Sequence, residues 1–311
     1  MHSGHISVLG KEVVSLMGDS DQSLYLDCTF GAGGHSRMLL NKYASSRVIG
    51  LDQDSDRQTQ VDALKNEFPN RMDFYNYNFK DLDQILEDQF DGVLFDFGVS
   101  SFQLDQADRG FSFSKPAPLD MRMNRKLGIP ASEFLNTASP EAIRKSLRDY
   151  GQEKRWKPVL EAILNARGSE VLETTDGLAQ LVYEAVGPKA VRLSKIHPAT
   201  LTFQGIRIAV NEELSVIEEA LPKAFDKLAE GGILICISFH SLEDRIVKRY
   251  FRTLCGLPLD RFDSRPKQER TVFATALTRK PMKASAEELE FNPRSRSAKL
   301  RAIKKGVFSK K

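Results

Sequence analysis

The chain lacks long apolar runs and has few cysteines. No hydrophobic stretch approaches the roughly 20 residues that a membrane-spanning helix needs, and the polar start Met-His-Ser-Gly-His has no apolar region typical of a secretory signal. The 3 cysteines form no Cys-x-x-Cys pair and no His-x-x-x-His is present, which argues against a zinc site. We therefore expect a cytoplasmic protein with reduced thiols, no membrane association and no metal.

A strong excess of one charge is also missing. The net charge is +3 over 311 residues, and the hydrophobic fraction of 41% is enough for one large domain or two smaller ones. The cations are unevenly distributed, with basic clusters at 245–252 and 265–283 and a dense run at 294–305. Such clusters neutralise phosphates and steer polyanions, although a solvated charged tail is the alternative.

A glycine-rich segment, Asp27-Cys-Thr-Phe-Gly-Ala-Gly-Gly-His-Ser36, is the most informative feature present. It follows a short apolar run at 24–26 and precedes a predicted helix at 36–43. Glycines let backbone approach a ligand closely, and the start of a helix offers unpaired N–H groups. A second apolar run at 47–51 ends in Asp52, which is placed to accept hydrogen bonds from ribose hydroxyls.

The spacing of these glycines favours S-adenosylmethionine over a dinucleotide. Glycines at 31, 33 and 34, with Ser36 where a third would be needed, fail the G-x-G-x-x-G pattern. Asp27, just before the turn, would repel a pyrophosphate but suits a ligand with a sulfonium and an ammonium group. The alternative is a tight strand-to-helix turn without a ligand.

Alternating apolar and helical runs predict an α/β fold with a doubly wound, mostly parallel sheet. The predicted strands are 24–28, 47–51, 73–77, 92–96 and 233–238, and the predicted helices near them are 5–18, 36–43, 55–67 and 79–88. Ligands bind at the carboxyl ends of such strands. Asp27, Asp52, Asp96 and His240 lie at or just after these ends, so they can converge although they are distant in sequence.

Residues from about 110 to 205 show helical patterns and no convincing strand, which is too long for an ordinary crossover. We expect a helical insert at 108–205 inside a sheet domain formed by 1–107 and 206–311. Helices at 202–214 and 215–229, the second ending at Gly231-Gly232, precede the strand at 233–238. Segments 271–277 and 298–303 alternate and predict an antiparallel hairpin at the sheet edge.

Together these motifs resemble the bacterial small-subunit (16S) ribosomal RNA cytosine-N4 methyltransferase family of the MraW type. The resemblance runs from residue 5 to about 303, and Ser238-Phe-His-Ser-Leu-Glu-Asp-Arg245 and Asn292-Pro-Arg-Ser-Arg-Ser297 belong to it. The other matching segments are 5–9, 27–36, 91–104, 109–113, 118–123, 197–200, 202–204 and 207–211. It implies a class I S-adenosylmethionine-dependent methyltransferase fold, Rossmann-like, with an inserted all-helical domain that recognises the substrate.

The resemblance also implies roles for individual residues. Cofactor contacts are expected at Gly33, Gly34, His35, Asp52, Phe79, Asp96 and Gln103. Contacts with RNA are expected at Arg109, His197, Arg294 and Arg296. Asp96 and His240 are the candidate catalytic residues, although Asp96 as a pure cofactor ligand and His240 as a hydrogen-bonded loop residue are the alternatives.

The implied reaction transfers a methyl group to the exocyclic N4 of a cytosine in the decoding region of 16S ribosomal RNA in the small subunit. The lone pair of the N4 amino group is delocalised into the ring, so an acceptor such as Asp96 must accept hydrogen bonds from the N4–H groups. The target base must also leave its stack to reach the site. The chain departs from the family pattern at Phe102, Asn124 and Leu201, which affects expected RNA contacts only. The alternatives are a methyltransferase for another RNA or a small molecule, and a non-catalytic RNA-binding protein. Oligomeric state, including a homodimer, stays open.

Overall fold

The computed structural model describes residues 6–18 and 22–307. His5, where the predicted first helix and one matching segment begin, lies outside the described residues. No helix in the described part of the chain is long and apolar enough to cross a bilayer.

Among the residues that the structure describes, seven strands form one mixed sheet. They are β1 Leu24–Asp27, β2 Arg47–Leu51, β3 Met72–Tyr75, β4 Phe90–Asp96, β5 Leu228–Ser238, β6 Ala274–Ala276 and β7 Lys299–Lys305. Their order is β3-β2-β1-β4-β5-β7-β6. Strands β1 to β5 pair in parallel, whereas β7 pairs antiparallel with both β5 and β6. The predicted parallel sheet and its antiparallel edge hairpin are therefore confirmed.

Thirteen α-helices occur among the described residues. They are α1 Gly10–Leu16, α2 Gly34–Lys42, α3 Gln58–Glu67, α4 Ser101–Asp105, α5 Ala131–Thr137, α6 Pro140–Lys145, α7 Trp156–Asn165, α8 Thr175–Val186, α9 Pro188–Leu193, α10 Ala199–Val210, α11 Glu213–Asp226, α12 Ser241–Leu254 and α13 Ala286–Phe291. A π-helical turn follows α6 at Ser146–Tyr150. Short 3₁₀ turns lie at Ser55–Arg57, Phe79–Gln84, Ala107–Arg109, Glu170–Leu172, Lys267–Glu269 and Pro293–Ser297.

Both faces of the sheet are covered, which explains why its central strands are almost continuously apolar. Alternate residues point to opposite faces, so Leu26 packs with α11 and α12 whereas Tyr25 packs with α1, α2 and α3. This arrangement puts the amphipathic faces of five helices onto one sheet and leaves the carboxyl ends of β1, β2, β4 and β5 at a common edge.

The structure divides into two compact units, Met1–Gly98 with Leu214–Lys311, and Val99–Glu213. The first contains the sheet. The second is helical with its own core, and α10 crosses the π-helical turn so closely that a Cβ on Gly205 would lie 2.1 Å from the carbonyl oxygen of Ser146. The sequence-based boundaries at 108 and 205 lie inside this helical unit because α4 and α10 belong to it.

Two local predictions were wrong. Residues 79–88 form a 3₁₀ turn at Phe79–Gln84 and no α-helix, because two lysines at the end of α11 take carbonyl oxygens of this segment. Lys223 Nζ, within α11, lies 2.5 Å from the Lys80 oxygen, and Lys227 Nζ, just after α11, lies 2.8 Å from the Ile85 oxygen. The helix expected to stop at Gly231-Gly232 ends at Asp226 instead. Gly232 lies within β5, where a Cβ would come within 2.7 Å of the Phe90 oxygen, so this glycine permits strand contact.

Candidate active site

The ends of four parallel strands bring the predicted acidic residues to one edge of the sheet. In the register, Asp27 is opposite Gly50 of β2 and Leu94 of β4, and Asp96 is opposite Ile237 of β5. Asp52 follows β2 directly and His240 follows β5 by two residues. The structure therefore places Asp27, Asp52, Asp96 and His240 at one edge, as the strand pattern predicted.

The glycine turn that joins β1 to α2 depends on backbone conformations that only glycine adopts readily. Gly31 has φ 55° and Gly33 has φ 75°, both left-handed, and Gly33 is the N-cap of α2. The Gly33 N–H donates to the Phe30 oxygen at 2.7 Å, which closes the turn. A Cβ on Gly33 would also lie 2.7 Å from the Phe30 ring, so both φ and packing require glycine there.

Asp27 holds this turn together from inside. Its carboxylate is buried and accepts from the Ser36 hydroxyl at 2.7 Å and from the Thr29 N–H at 3.2 Å. Burial raises the pKa of Asp27, while nearby His35 and the Ser36 hydrogen bond oppose that rise. The sequence suggested that Asp27 would suit a cationic ligand. Its oxygens instead serve the turn, so its part in binding is structural.

Asp52 links the end of β2 to the glycine turn. One carboxylate oxygen accepts from the Gly31 N–H at 2.8 Å and the other accepts from the Asp54 N–H at 2.9 Å. Burial raises the pKa of Asp52 to about 6, against the opposing influence of Arg57 and of these two N–H groups. The backbone thus fixes the orientation of a half-buried carboxylate, and its remaining lone pairs are available to hydroxyl groups.

Asp96, at the end of β4, has the least satisfied carboxylate of the edge. Its Oδ1 is buried and has no hydrogen-bond partner within the described residues, and its Oδ2 lies 3.9 Å from Nδ1 of His35. The backbone is fixed, since the Asp96 N–H donates to the Thr29 hydroxyl oxygen at 2.7 Å. Burial raises the pKa of Asp96 to about 7, with Asp27 and Glu243 adding to the effect and His35 opposing it.

His35 is oriented toward Asp96 by a backbone carbonyl. Its Nε2 lies 2.9 Å from the Val8 oxygen. A carbonyl only accepts, so Nε2 carries the proton and Nδ1 is left facing Asp96. Segment 6–9 also touches the turn, since a Cβ on Gly34 would lie 2.3 Å from the Ser7 hydroxyl oxygen. Gly33, Gly34, His35, Asp52 and Asp96 are thus brought together as the resemblance implied.

His240 forms the N-cap of α12. Its Nδ1 accepts from the Glu243 N–H at 3.4 Å, and the Glu243 carboxylate accepts in return from the His240 N–H at 3.1 Å and the Phe239 N–H at 2.7 Å. This is a capping box. Sequence reasoning missed Glu243, although the spacing His240-x-x-Glu243 carries its signal. The capping contacts give His240 a structural role.

The other candidates in the sheet unit lie near this edge or face its core. Phe79 is half-buried with its ring 5.4 Å from that of Phe95 at 85°, an edge-to-face contact. Arg294 and Arg296 are exposed on the turn Pro293–Ser297. Asn292, just before that turn, donates to the Ile6 oxygen at 3.0 Å, which ties the turn to the segment that packs on the glycines.

Three candidates lie in the helical unit. Gln103 is buried and its Oε1 accepts from the Ser100 N–H at 3.0 Å in a second capping box. Arg109 is fully buried and donates to the Met123 oxygen at 2.9 Å, so it stabilises a loop and is not displayed to a polyanion. His197 is exposed, with its ring 4.6 Å from that of Phe113.

The sheet order, with β7 antiparallel beside β5, and the acids that flank a glycine turn define a class I S-adenosylmethionine-dependent methyltransferase. The chain belongs to the MraW methylase family, whose model matches residues 2–306. S-adenosylmethionine is accordingly its methyl donor.

Two relatives are similar over nearly their whole length. A protein of Ehrlichia canis named "Ribosomal RNA small subunit methyltransferase H" is 45% identical over 97% of this chain and 99% of its own length. A protein of the same name from Heliobacterium modesticaldum is 42% identical over 97% and 98%. The crystal structure of an rRNA methylase from Streptococcus thermophilus aligns at a TM-score of 0.42 with 10% identity, over 96% of this chain and 94% of its own. That structural similarity is too low to add to the assignment.

Proposed function

We propose that this protein transfers a methyl group from S-adenosylmethionine to N4 of a cytosine in small-subunit ribosomal RNA. The observation that carries this proposal is the buried Oδ1 of Asp96, which has no partner among residues 6–18 and 22–307, at the edge where β1, β2 and β4 end. A buried carboxylate oxygen without a partner costs free energy, so its retention points to a ligand that completes it. The names of the curated relatives, which concern ribosomal RNA of the small subunit, support the choice of substrate.

The residues of this edge suit the cofactor. Asp52 presents a carboxylate fixed by two N–H groups, which suits the vicinal hydroxyls of a ribose. Asp96 and the turn with Gly33 and Gly34 suit the cationic methionine part, because a desolvated carboxylate gains from a nearby positive charge. Phe79 offers an apolar face to the adenine. When bound, S-adenosylmethionine supplies an activated methyl group.

We also assign Asp96 to the exocyclic amino group of the target cytosine. A carboxylate that accepts a hydrogen bond from N4–H increases the electron density of the nitrogen while it attacks the methyl carbon and the bond from carbon to sulfur breaks. The extra proton of the methylated nitrogen then leaves to Asp96 or to water. His35, whose Nδ1 lies 3.9 Å from the carboxylate, opposes the rise in the pKa of Asp96 and so favours the ionised form that accepts from N4–H.

The helical unit Val99–Glu213 is our candidate for substrate recognition, as expected for an insert in this family. Its exposed His197 lies beside the half-buried Phe113, and these two rings give an aromatic surface suited to stacking with an unpaired base. The Phe113 ring is fixed from below by the buried Phe203, 4.8 Å away. Arg294 and Arg296 in the sheet unit would neutralise phosphates. Arg109 supports recognition indirectly, because its hydrogen bond to the Met123 oxygen stabilises the loop there.

The test is methylation of small ribosomal subunits from a strain that lacks this gene, followed by nucleoside mass spectrometry. We expect N4-methylcytidine with the wild-type protein. Asp96→Ala should lower the rate by about 10²-fold or more, since a positioned acceptor contributes on that order. Asp52→Ala should instead weaken cofactor binding. Incorporation into another RNA, or none despite cofactor binding, would contradict the proposal.

A further inference from the structure

Helix α12 presents a one-sided positive surface that begins at the edge carrying Asp96. The helix follows β5 directly, and its N-cap His240 is three residues beyond Ile237, the β5 partner of Asp96. Its buried face consists of Leu242, Glu243, Val247, Phe251 and Leu254. The opposite face is therefore free of core packing and shows what the helix offers to solvent.

The exposed positions of α12 carry cations and hydroxyls only. They are Ser241, Arg245, Lys248, Arg249 and Thr253. A solvated helix ordinarily mixes both signs, because pairs of opposite charge three or four residues apart support it. Arg245, Lys248 and Arg249 stand at just such spacings and make no ion pair within the described residues. We call these three side chains the α12 stripe.

The two acidic residues of α12 do not offset this charge. Glu243 is fully buried and accepts N–H groups at the helix start. Asp244 pairs with Arg301 at 2.7 Å and with Lys299 at 3.6 Å, both on β7. Burial opposes ionisation, but Arg301 and Lys299 together hold the pKa of Asp244 below its ordinary value. Both carboxylates therefore bind partners within the sheet unit and do not neutralise the exposed cations of α12.

We propose that the α12 stripe binds the phosphate backbone of the substrate RNA as the strand leaves the methylation site. From Arg245 to Arg252 the helix rises by about 10 Å, at about 1.5 Å per residue, so several phosphates of one strand can follow it. Arg252 extends the same face, although its guanidinium donates to the Pro258 carbonyl. The inference rests on the proposed function and adds the surface that holds RNA beyond the reacting base.

The stripe is tested by removing its charges while the fold and the methylation edge stay intact. The variant Arg245→Gln/Lys248→Gln/Arg249→Gln is compared with Lys11→Gln/Lys42→Gln/Lys65→Gln, which removes three exposed cations from helices on the other face of the sheet. A third protein, Arg245→Lys/Arg249→Lys, keeps the charge. The cofactor Kd, measured by calorimetry, should stay within about twofold in all three because no cofactor residue changes.

Binding is measured as fluorescence anisotropy of a labelled oligouridylate, which contains no cytosine, over a range of salt. For the stripe variant we expect the slope of log K against log salt to become less steep by about 2, because a single strand gives about 0.7 per phosphate contact. The KM for small subunits should rise by about 10-fold or more with kcat little changed. The other two proteins should resemble the wild type.

The proposal for the α12 stripe would be overturned by an unchanged salt slope in the stripe variant. It would also be overturned if the Lys11→Gln/Lys42→Gln/Lys65→Gln variant lost RNA affinity to the same extent. These outcomes are separate from the fate of the proposed function. Wild-type protein that binds oligouridylate through the stripe but methylates no small-subunit RNA would refute the reaction and leave the stripe in place. Efficient methylation with an unaltered salt slope would refute the stripe alone.

Discussion

At the scale of single residues, Asp96 is held in a state that is unfavourable for stability. Its pKa of about 7 is far above the ordinary value of 3.8, mainly because of burial. Between these values the folded protein keeps a proton that the unfolded chain has lost, so the free energy of unfolding falls as pH rises from about 4 to 7. A loss of stability of this kind, at a residue whose Oδ1 has no partner in the described part of the chain, is typical of a functional site.

We therefore expect Asp96→Asn to stabilise the protein while it removes activity. The amide has no charge to desolvate, so the free energy of unfolding should rise by on the order of 1–3 kcal/mol at pH 8. The gain should be absent below about pH 4, where the wild-type residue is protonated in both states, and grow toward pH 7. Urea titration of both proteins across this range, with methyl transfer measured in parallel, is the measurement.

Asp62→Asn serves as the control, because Asp62 is exposed on α3. Its effect on unfolding should stay within about 0.5 kcal/mol at every pH. An Asp96→Asn protein that is less stable than the wild type at pH 8 would show that the ionised carboxylate has a partner in the free protein. Full activity of that variant would remove Asp96 from the reaction.

The residue scale also marks the limit of sequence reasoning at the site. Four polar residues at strand ends were predictable, because parallel strands end at one edge and the apolar runs locate those ends. The separate roles of these four residues were not predictable from the sequence. Asp27 and Asp96 are alike in sequence context, yet Ser36 and Thr29 satisfy Asp27, whereas no side chain in the described part of the chain satisfies Oδ1 of Asp96. That difference comes from side-chain contacts, which no sequence period encodes.

At the scale of elements, the strands were easier to predict than the segments that join them. Continuous apolar runs identified β1, β2, β4 and β5, since burial on both faces leaves few polar positions. The segment Phe79–Gln84 and the start of β5 were misread, because Lys223 of α11, Lys227 just after it and the carbonyl of Phe90 decide their conformation. Tertiary contacts overrode local preference there, as is common for short elements.

The N-terminus of α12 gives His240 a structural role beside the catalytic one that the sequence suggested. His240 follows a strand at the active edge, but its Nδ1 caps the helix. We expect His240→Ala to lower the free energy of unfolding by about 1 kcal/mol, as the loss of an N-cap usually does. His240→Asn restores a capping acceptor, and both stability and kcat should return to near wild-type values. Thermal unfolding and initial rates of methylation measure the two quantities.

The comparison separates capping from catalysis. Ser241→Ala is a suitable control, because it changes the neighbouring exposed residue and leaves the capping acceptor in place. If His240→Asn recovers stability while kcat stays about 10²-fold low, the imidazole takes part in the reaction, and the catalytic role suggested by the sequence is right. If it recovers neither, the ring is needed for packing around Glu243.

At the scale of the whole molecule, two units with separate cores share one chain. The sheet unit holds the glycine turn, Asp52 and Asp96, and the helical unit has its own buried cluster around α7 and α8. Ligand binding stabilises the parts of a protein that it contacts, so amide exchange can report which unit the cofactor engages. Each unit therefore supplies an internal reference for the other.

We expect S-adenosylmethionine to slow amide exchange at 28–35 and 52–54, because the N–H groups of Gly31 and Asp54 hold the Asp52 carboxylate. The resemblance assigns Gln103 to the cofactor, so α4 should slow as well, while α7 and α8 should not change. Exchange measured by mass spectrometry with and without saturating cofactor tests this pattern.

Adenosine, which lacks the cationic part of the cofactor, should protect 52–54 more than 28–35. Equal slowing of α7, α8 and the glycine turn would mean that the cofactor stabilises both cores together, and binding residues beyond Gln103 would then have to be sought in the helical unit.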